Sequence, residues 1–379
     1  MVNSRPKRVK SLPRLASNAP FLRLMVDHLL CPDIGAIPRG FKRVWLRSVG
    51  YQFKPFLSGC QSLFPRTRLL HYNLHQGREY RRSGVTMQLT VGLAQLYPKI
   101  GDVAANLRAH LAQIEAAKAH GAQLLLFPEL SLTGYNLQDL VYEVAMQPTA
   151  DNPIFGQLLE ASGDYAMDLM VGFVDTDRRA RYFIAAAYLS QGKVLHVHHK
   201  VYLPTYTMFD EGRYFAWGDS VRAFETRFGR FGMLICEDFW HASPPYLLWV
   251  DQADVFLFHS ASPGRGLDAS DRLSSARWVQ LVNQAYASLF TSYVLHCNRV
   301  GYEDGLNFWG GSTIVDPDGE IVCAAPMHEP ALCIQTIDLN QIRRTRTRLP
   351  LLRDERTALM ARELARIIRE SPDRAFSGR

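Results

Sequence analysis

"MQLTVGLAQLYPKIGDVAANLRAHLAQIEAAKAHGAQLLLFPEL", residues 87–130, contains the pattern from which the fold class can be predicted. Its first ten residues alternate like a strand, and Pro98 and Gly101 then end that pattern. Apolar residues next recur at helical spacing, before a short apolar strand at 123–130. Strand, helix and strand in this order form a β-α-β unit, which predicts an α/β domain beginning at Met87.

The same alternation of strands and helices continues through the rest of the chain. Further strands are predicted at 165–175, 182–200, 255–263, 292–301, 311–322 and 331–339, with a hairpin turn at Gln191-Gly192 and a helix around 276–286. We therefore predict one α/β domain over 87–352, followed by a charged amphipathic helix and tail over 353–379.

The basic character of the chain belongs to its first 86 residues. They hold 16 Lys and Arg against 3 Asp and Glu, whereas the remainder holds 27 against 33. Three interpretations of this leader stay open, in order of preference: a stretch upstream of the true start, an Arg-rich transit peptide, and a basic arm. The leader lacks the aromatic or motif support of a nucleic-acid site, so we expect no nucleic-acid partner.

The cysteine pattern favours a reducing compartment. Six cysteines are widely spaced and form no CxxC pair, at positions Cys31, Cys60, Cys236, Cys297, Cys323 and Cys333. A disulfide framework or a zinc site is therefore not expected. No apolar run reaches the roughly 18 residues that span a bilayer. We expect a cytoplasmic protein with no membrane contact.

Several apolar stretches run into a chemically active side chain. "LLLFPELSLTGY" leads to Glu129, "VLHVHHKVYLP" to Lys200 and "FGMLICEDFW" to Cys236, and Glu211 follows in "FDEGRYF". Because α/β folds collect catalytic groups at the carboxyl ends of their strands, we expect these four side chains to meet. As single residues, each would more often be a structural or solvated side chain.

Together these groups suit attack on an amide or nitrile carbon. Glu129 would accept the thiol proton of Cys236, and Lys200 with the backbone N–H of Glu237 would hold the developing oxyanion. Neighbouring carboxylates raise the pKa of a thiol, and Lys200 would offset them. Glu211 would support the reaction, although a local surface ion pair is an alternative explanation for it.

The order and spacing of these motifs resemble those of the nitrilase, or carbon-nitrogen hydrolase, superfamily. The resemblance covers about 87–345 and includes "GDVAANL", "NRVGYEDGLNFWGGS" and "DPDGEI". It implies a Glu-Lys-Cys triad at Glu129, Lys200 and Cys236, with Glu211 as an additional glutamate. It also implies a four-layer α-β-β-α sandwich, no metal or organic cofactor, and a homodimer or larger homo-oligomer.

Within that superfamily, "LPTYTMFDEGRYF" and "CEDFW" look most like the glutaminase domain of glutamine-dependent NAD synthetase. Thr205, Thr207 and Met208 depart from the expected text. No SGGxDS pyrophosphatase loop occurs, so we expect the synthetase half to be absent. The predicted substrate-binding residues are Tyr135, Tyr206, Trp240, Ser260, Phe308 and the backbone N–H of Glu237.

Four functions remain open at this stage. The first is an amidase that hydrolyses a small carboxamide through a cysteine thioester, and the second is an ammonia-supplying subunit that works with a separate synthetase partner. Acyl transfer to an amine and a catalytically silent scaffold are the others. His196, His198 and His199 suggest a metal site, but packed or hydrogen-bonded histidines explain them better.

Overall fold

The computed structural model describes residues 87–266 and 273–370, and the structural statements below refer to these residues. The predicted leader, with Cys31 and Cys60, and the tail after residue 370 lie outside them. The strands are β1 Gln88–Gln95, β2 Leu124–Leu126, β3 Asp168–Thr176, β4 Tyr182–Ser190, β5 Lys193–His199, β6 Ala223–Thr226, β7 Gly229–Ile235, β8 Val255–Ser260, β9 Tyr293–Asn298, β10 Val300–Glu303, β11 Leu306–Trp309, β12 Thr313–Val315, β13 Ile321–Ala324 and β14 Ala331–Asp338.

The helices are α1 Val103–Ala119, α2 Val141–Val144, α3 Pro153–Asp164, α4 Glu211–Tyr214, α5 Ser243–Val250, α6 Ser274–Phe290, α7 Asn340–Arg348, α8 Leu351–Asp354 and α9 Thr357–Glu370. Short 3-10 turns cover Gln138–Leu140 and Cys236–Trp240. In the described part of the chain, no helix has the length and apolar character needed to cross a membrane.

Two six-stranded sheets form the centre of the fold. Their strand orders are β14-β1-β2-β3-β4-β5 and β13-β12-β9-β8-β7-β6, and β10 and β11 form a separate two-stranded ribbon. The β1-β2-β3 pairs are parallel, as are β7-β8-β9, whereas the outer pairs are antiparallel. Parallel neighbours need a crossover, and α1, α3, α5 and α6 lie in those connections.

The layers follow from the two faces of each strand. Leu89, Val91 and Leu93 on β1 share one buried cluster with residues of the second sheet, such as Leu257 and Leu295. The opposite face of the first sheet packs on α1 and α3, and the outer face of the second packs on α5 and α6. This confirms the predicted α-β-β-α sandwich.

The predicted strand at 292–301 is in fact two strands. β9 ends at Asn298 and β10 begins at Val300 in a different sheet. Arg299 lies between them and is fully buried, with its guanidinium bound to Glu303. A periodicity of two cannot reveal this break, because both strands and the connecting residue are apolar or buried.

Candidate active site

The carboxyl ends of three strands place Glu129, Lys200 and Cys236 together. Glu129 follows β2, Lys200 follows β5, and Cys236 follows β7. Lys200 Nζ donates to Glu129 Oε1 at 2.8 Å and to Glu211 Oε1 at 2.8 Å. Tyr135 Oη donates to the same Glu211 oxygen at 2.6 Å. The structure thus brings Glu129, Lys200 and Glu211 into one buried cluster, and the half-buried Cys236 lies close enough to interact with their charges.

The electrostatics of this cluster depend on burial. Burial alone would lower the pKa of Lys200, but the Glu129 and Glu211 carboxylates raise it well above its ordinary value, so the ammonium stays charged. Burial raises the pKa of Glu211 to about 7, although Lys200 opposes this. One oxygen of that carboxyl group, Glu211 Oε2, is buried without a hydrogen-bond partner among the described residues.

The Cys236 thiol is protonated in this environment. Burial and the Glu129 carboxylate raise its pKa well above the ordinary value, and Lys200 offsets only part of that effect. Cys236 has a φ of 49°, which is the left-handed region that non-glycine residues seldom adopt. This turn follows β7 directly and leaves Cys236 less buried than the strand before it.

Asp238 fixes the turn that carries Cys236. Its Oδ1 accepts from the backbone N–H groups of Val201 and Tyr202, both at 2.9 Å. Its Oδ2 accepts from Ile235 N–H at 3.1 Å and lies 2.9 Å from His198 Nε2. This fully buried carboxylate therefore joins the turn after β7 to the segment that follows Lys200.

The loop that carries Glu129 is held from two sides. Ala261 N–H donates to Glu129 Oε2 at 2.7 Å. On the other side, β3 approaches closely at Gly172, where a Cβ atom would lie 2.4 Å from the Pro128 carbonyl oxygen. The absence of a side chain on Gly172 permits that approach.

A narrow cavity opens beside Cys236. It is lined by Tyr135, Pro204, Phe209, Glu211, Cys236, Glu237, Trp240, Ser262, Pro263, Arg265 and Ser275. About 10 Å³ is open to a water-sized molecule, which is room for about one water. A substrate can therefore enter only if side chains at the cavity mouth move.

The predicted substrate-binding residues differ in their placement. Tyr135, Glu237 and Trp240 line the cavity, and Tyr206 lies at its edge, where its hydroxyl donates to the Glu237 carboxylate at 2.9 Å. The Glu237 backbone N–H is the first amide after Cys236 and lies in the 3-10 turn. Its side chain also lines the cavity.

Ser260 and Phe308 do not line the catalytic cavity. The Ser260 hydroxyl is fully buried, 2.8 Å from His296 Nε2 and 2.9 Å from Asn298 Oδ1. The side chain of Ser262, two residues further on, reaches the cavity instead, with its hydroxyl 4.0 Å from Cys236 Sγ. Ser262, and not the predicted Ser260, reaches the cavity, because β8 ends at Ser260 and the chain continues beyond it to the site.

Phe308 supports Tyr135 from behind. The two rings meet edge to face, with centroids 5.8 Å apart, and Arg299 lies over Phe308 at 4.2 Å. Arg299 also binds Glu303, whose other oxygen accepts from the backbone N–H groups of Tyr135 and Asn136. This buried unit fixes the position of the Tyr135 hydroxyl on Glu211.

Arg265 is the cavity residue that sequence reasoning missed. Its guanidinium lies over the rings of Phe209, Trp240 and Tyr206 at 5.0, 5.8 and 5.9 Å. Its Nε is buried without a partner among the described residues. The signal was present in the stretch "HSASPGRG" after a strand end, but a single arginine in a loop has no distinctive spacing.

The three histidines of β5 have separate partners. His196 stacks on Phe224, His198 contacts Asp238, and His199 lies 2.7 Å from Asp175 Oδ2. No group of three or more potential metal ligands occurs in residues 87–266 and 273–370. The packed or hydrogen-bonded interpretation of these histidines agrees with their contacts.

Comparison with known proteins places this arrangement in a family. The profile of the carbon-nitrogen hydrolase family matches residues 90–347. The glutamine-dependent NAD(+) synthetase of Thermotoga maritima is 32% identical over 259 residues, which are 67% of this chain and 43% of that protein. The chain thus spans less than half the length of this relative.

Solved structures agree with the fold. The structure of glutamine-dependent NAD+ synthetase from Acinetobacter baumannii aligns with a TM-score of 0.59 at 30% identity, over 67% of this chain and 46% of that one. A carbon-nitrogen hydrolase from Helicobacter pylori aligns with a TM-score of 0.64 at 21% identity, over 73% of this chain and 98% of that one. The chain therefore belongs to the carbon-nitrogen hydrolase family.

Proposed function

We propose that the protein is an amidase-type hydrolase that cleaves a small carboxamide to an acid and ammonia through a thioester on Cys236. One observation carries the proposal: Lys200 Nζ is held between Glu129 and Glu211, at 2.8 Å from each, in a buried cluster beside the thiol. A fixed ammonium in a site of low dielectric stabilises negative charge that develops on a substrate carbonyl oxygen.

The first half-reaction follows from the protonated state of the thiol. Because Cys236 is not ionised beforehand, its proton passes to Glu129 as the sulfur attacks the amide carbon. Lys200 Nζ and the Glu237 backbone N–H hold the oxyanion of the tetrahedral intermediate. The C–N bond then breaks, and Glu129 returns the proton to the leaving nitrogen, which departs as ammonia.

The second half-reaction hydrolyses the thioester. Glu129 takes a proton from a water molecule, whose oxygen attacks the acyl carbon, and then protonates the departing sulfur of Cys236. Glu211 lines the same cavity, and its unpartnered Oε2 accepts an N–H of the substrate amide. Glu211 thereby orients the amide, while its other oxygen stays bound to Lys200 and Tyr135.

The charges at the cavity favour a substrate that is an amino-acid amide, such as glutamine or asparagine. Glu237 offers a carboxylate to a substrate ammonium, and Arg265 offers a guanidinium to a substrate carboxylate. Arg265 Nε is buried without a hydrogen-bond partner among the described residues, which leaves one donor for a ligand group. Opposite charges at one cavity mouth match a zwitterion better than a neutral amide.

A second candidate is an ammonia-supplying glutaminase that acts with a separate synthetase partner. It is favoured by the matches to glutamine-dependent NAD synthetases, whose sequences extend well beyond the matched part. The nearly closed cavity agrees with a site that opens on docking. Ammonia release that appears only after a synthetase is added would distinguish this candidate from the free-standing amidase.

The proposal is tested by measuring ammonia release from glutamine, asparagine and propionamide, and from the analogues of glutamine and asparagine that lack the α-amino group. The wild type, Cys236→Ala and Glu237→Gln are compared. We expect release from a zwitterionic amide, loss in Cys236→Ala, and in Glu237→Gln a rise in KM of about tenfold with a smaller change in kcat. Equal turnover of propionamide and glutamine by the wild type would contradict the proposed substrate class.

A further inference from the structure

A second, larger cavity lies between helix α6 and the edge of the second sheet. It has a volume of about 430 Å³ and is separate from the catalytic cavity in its lining residues. One wall is formed by one face of α6, which carries Ala276, Val279, Gln280 and Asn283. Residues of β9 and β11 to β13 and the segment after β13 form the other.

Buried polar atoms without partners line this cavity. Asn283 is fully buried, and neither Oδ1 nor Nδ2 of its amide has a hydrogen-bond partner among the described residues. Trp309 Nε1 and Thr313 Oγ1 are likewise buried and unpartnered. Each such group costs about 1–3 kcal/mol when left unpaired, so four in one cavity indicate a missing hydrogen-bonding occupant.

The lining also indicates the chemistry of the occupant. Asn283 presents a donor and an acceptor side by side, and the complement of that edge is another amide with N–H and C=O on the same side. Trp309 adds a second donor, which suits a carbonyl oxygen. The lining contains no Asp or Glu, whereas Arg277 and His328 are part of it, so a cation does not fit.

The rest of the wall is apolar. Val279, Ala324, Ala325 and Met327 surround the polar atoms. Such a mixture of a few fixed polar groups and an apolar lining is typical of small-molecule sites. We propose that this cavity binds a small uncharged molecule with a primary amide or lactam edge and an apolar body.

This site is independent of the proposed catalysis, so it is tested with the full chain carrying Cys236→Ala. The probe is 2-pyridone, a planar lactam, titrated by ligand-observed NMR, and N-methyl-2-pyridone is the matched probe without the N–H donor. We expect saturable binding of 2-pyridone and at least tenfold weaker binding of the methylated compound.

Protein variants then locate the bound probe. Asn283→Leu should weaken binding at least tenfold, and Trp309→Phe, which keeps an aromatic ring but removes the N–H, at least threefold. Ala285→Ser, on the exposed side of α6, is the control and should bind normally. The proposal is overturned if 2-pyridone does not saturate, or if Trp309→Phe and the methylated probe both bind as well as their counterparts. The comparisons of Trp309→Phe with Trp309 and of the methylated probe with 2-pyridone test the proposal even if Asn283→Leu fails to fold.

Discussion

At the scale of single residues, the site holds a charged ammonium beside a neutral thiol in a largely buried environment. Lys200 is fully buried yet remains charged, because two carboxylates contact it directly. Cys236 stays protonated because burial outweighs the effect of that lysine. The opening expectation that Lys200 offsets the carboxylates near Cys236 is therefore only partly met, and proton transfer must accompany attack.

Glu211 should give the protein a pH-dependent stability. Its pKa in the folded state is about 7, above the ordinary value of 4.5, so the folded state holds a proton that the unfolded state has released between these values. This contribution is complete below about pH 4.5 and falls as pH rises through about 7, by at most about 3 kcal/mol. Glu211→Gln mimics the protonated form and removes the dependence.

Urea unfolding of wild type and Glu211→Gln at pH 5 and pH 8 measures this difference. The stability of the variant relative to wild type should be higher at pH 8 than at pH 5. The exposed Asp210→Asn is the control, because its carboxylate lies on the surface, 3.9 Å from Arg213. A relative stability of Glu211→Gln that does not change with pH would show that Glu211 has an ordinary pKa.

At the scale of elements, the chain aligns its functional groups by tying loops to one another. Asp238 binds three backbone N–H groups from two different segments and contacts His198. In Asp238→Asn, an amide N–H₂ in place of Oδ2 would face the Ile235 N–H donor. We expect a loss of about 2–4 kcal/mol in unfolding free energy and a large fall in kcat.

The same unfolding and activity assays on Asp210→Asn give the comparison for Asp238→Asn. Both substitutions remove one charge from the same part of the molecule, but Asp210 is mostly exposed and Asp238 is fully buried. If the two variants were equally stable and active, Asp238 would not be needed to join the turn after β7 to the segment that follows Lys200.

Gly172 should be intolerant of even one methyl group. A Cβ atom there would lie 2.4 Å from Pro128 O and 2.5 Å from Leu130 N, on either side of Glu129. Gly172→Ala should therefore cost about 1–3 kcal/mol and lower kcat, because the Glu129 loop must shift. Gly163→Ala in α3, whose nearest non-neighbour atom would be 3.6 Å away, should be neutral or slightly stabilising in thermal melts. Similar melting temperatures and activities for both variants would contradict this packing.

At the scale of the whole molecule, periodicity predicted the strands and helices that build the sandwich. β1, α1 and β2 have the strand, helix, strand order that was predicted from residues 87–130. This order follows because a helix covers the sheet between two parallel strands. The convergence of Glu129 and Lys200 was predictable because β2 and β5 run in the same direction in one sheet, whereas Cys236 follows β7 in the other sheet. Family resemblance added the identity of the sandwich.

Contacts between distant loops could not be predicted. Arg265 at the cavity mouth, the Glu303 carboxylate on the 135–136 amides, and the unpartnered amide of Asn283 each depend on how segments meet in space. Their spacing in the sequence carries no signal of those contacts. The prediction of Ser260 instead of Ser262 has the same cause. The path of the chain beyond the end of β8 determines which of the two hydroxyl groups reaches the site.

A thioester on Cys236 can be detected by intact-protein mass spectrometry after rapid acid quenching. The wild type is mixed with the amide that releases ammonia fastest, and Cys236→Ala is treated in parallel. For the wild type we expect a mass increase equal to the mass of the substrate minus that of ammonia, located on the peptide that contains Cys236. For Cys236→Ala we expect neither an adduct nor ammonia release. Undiminished ammonia release by Cys236→Ala would contradict it.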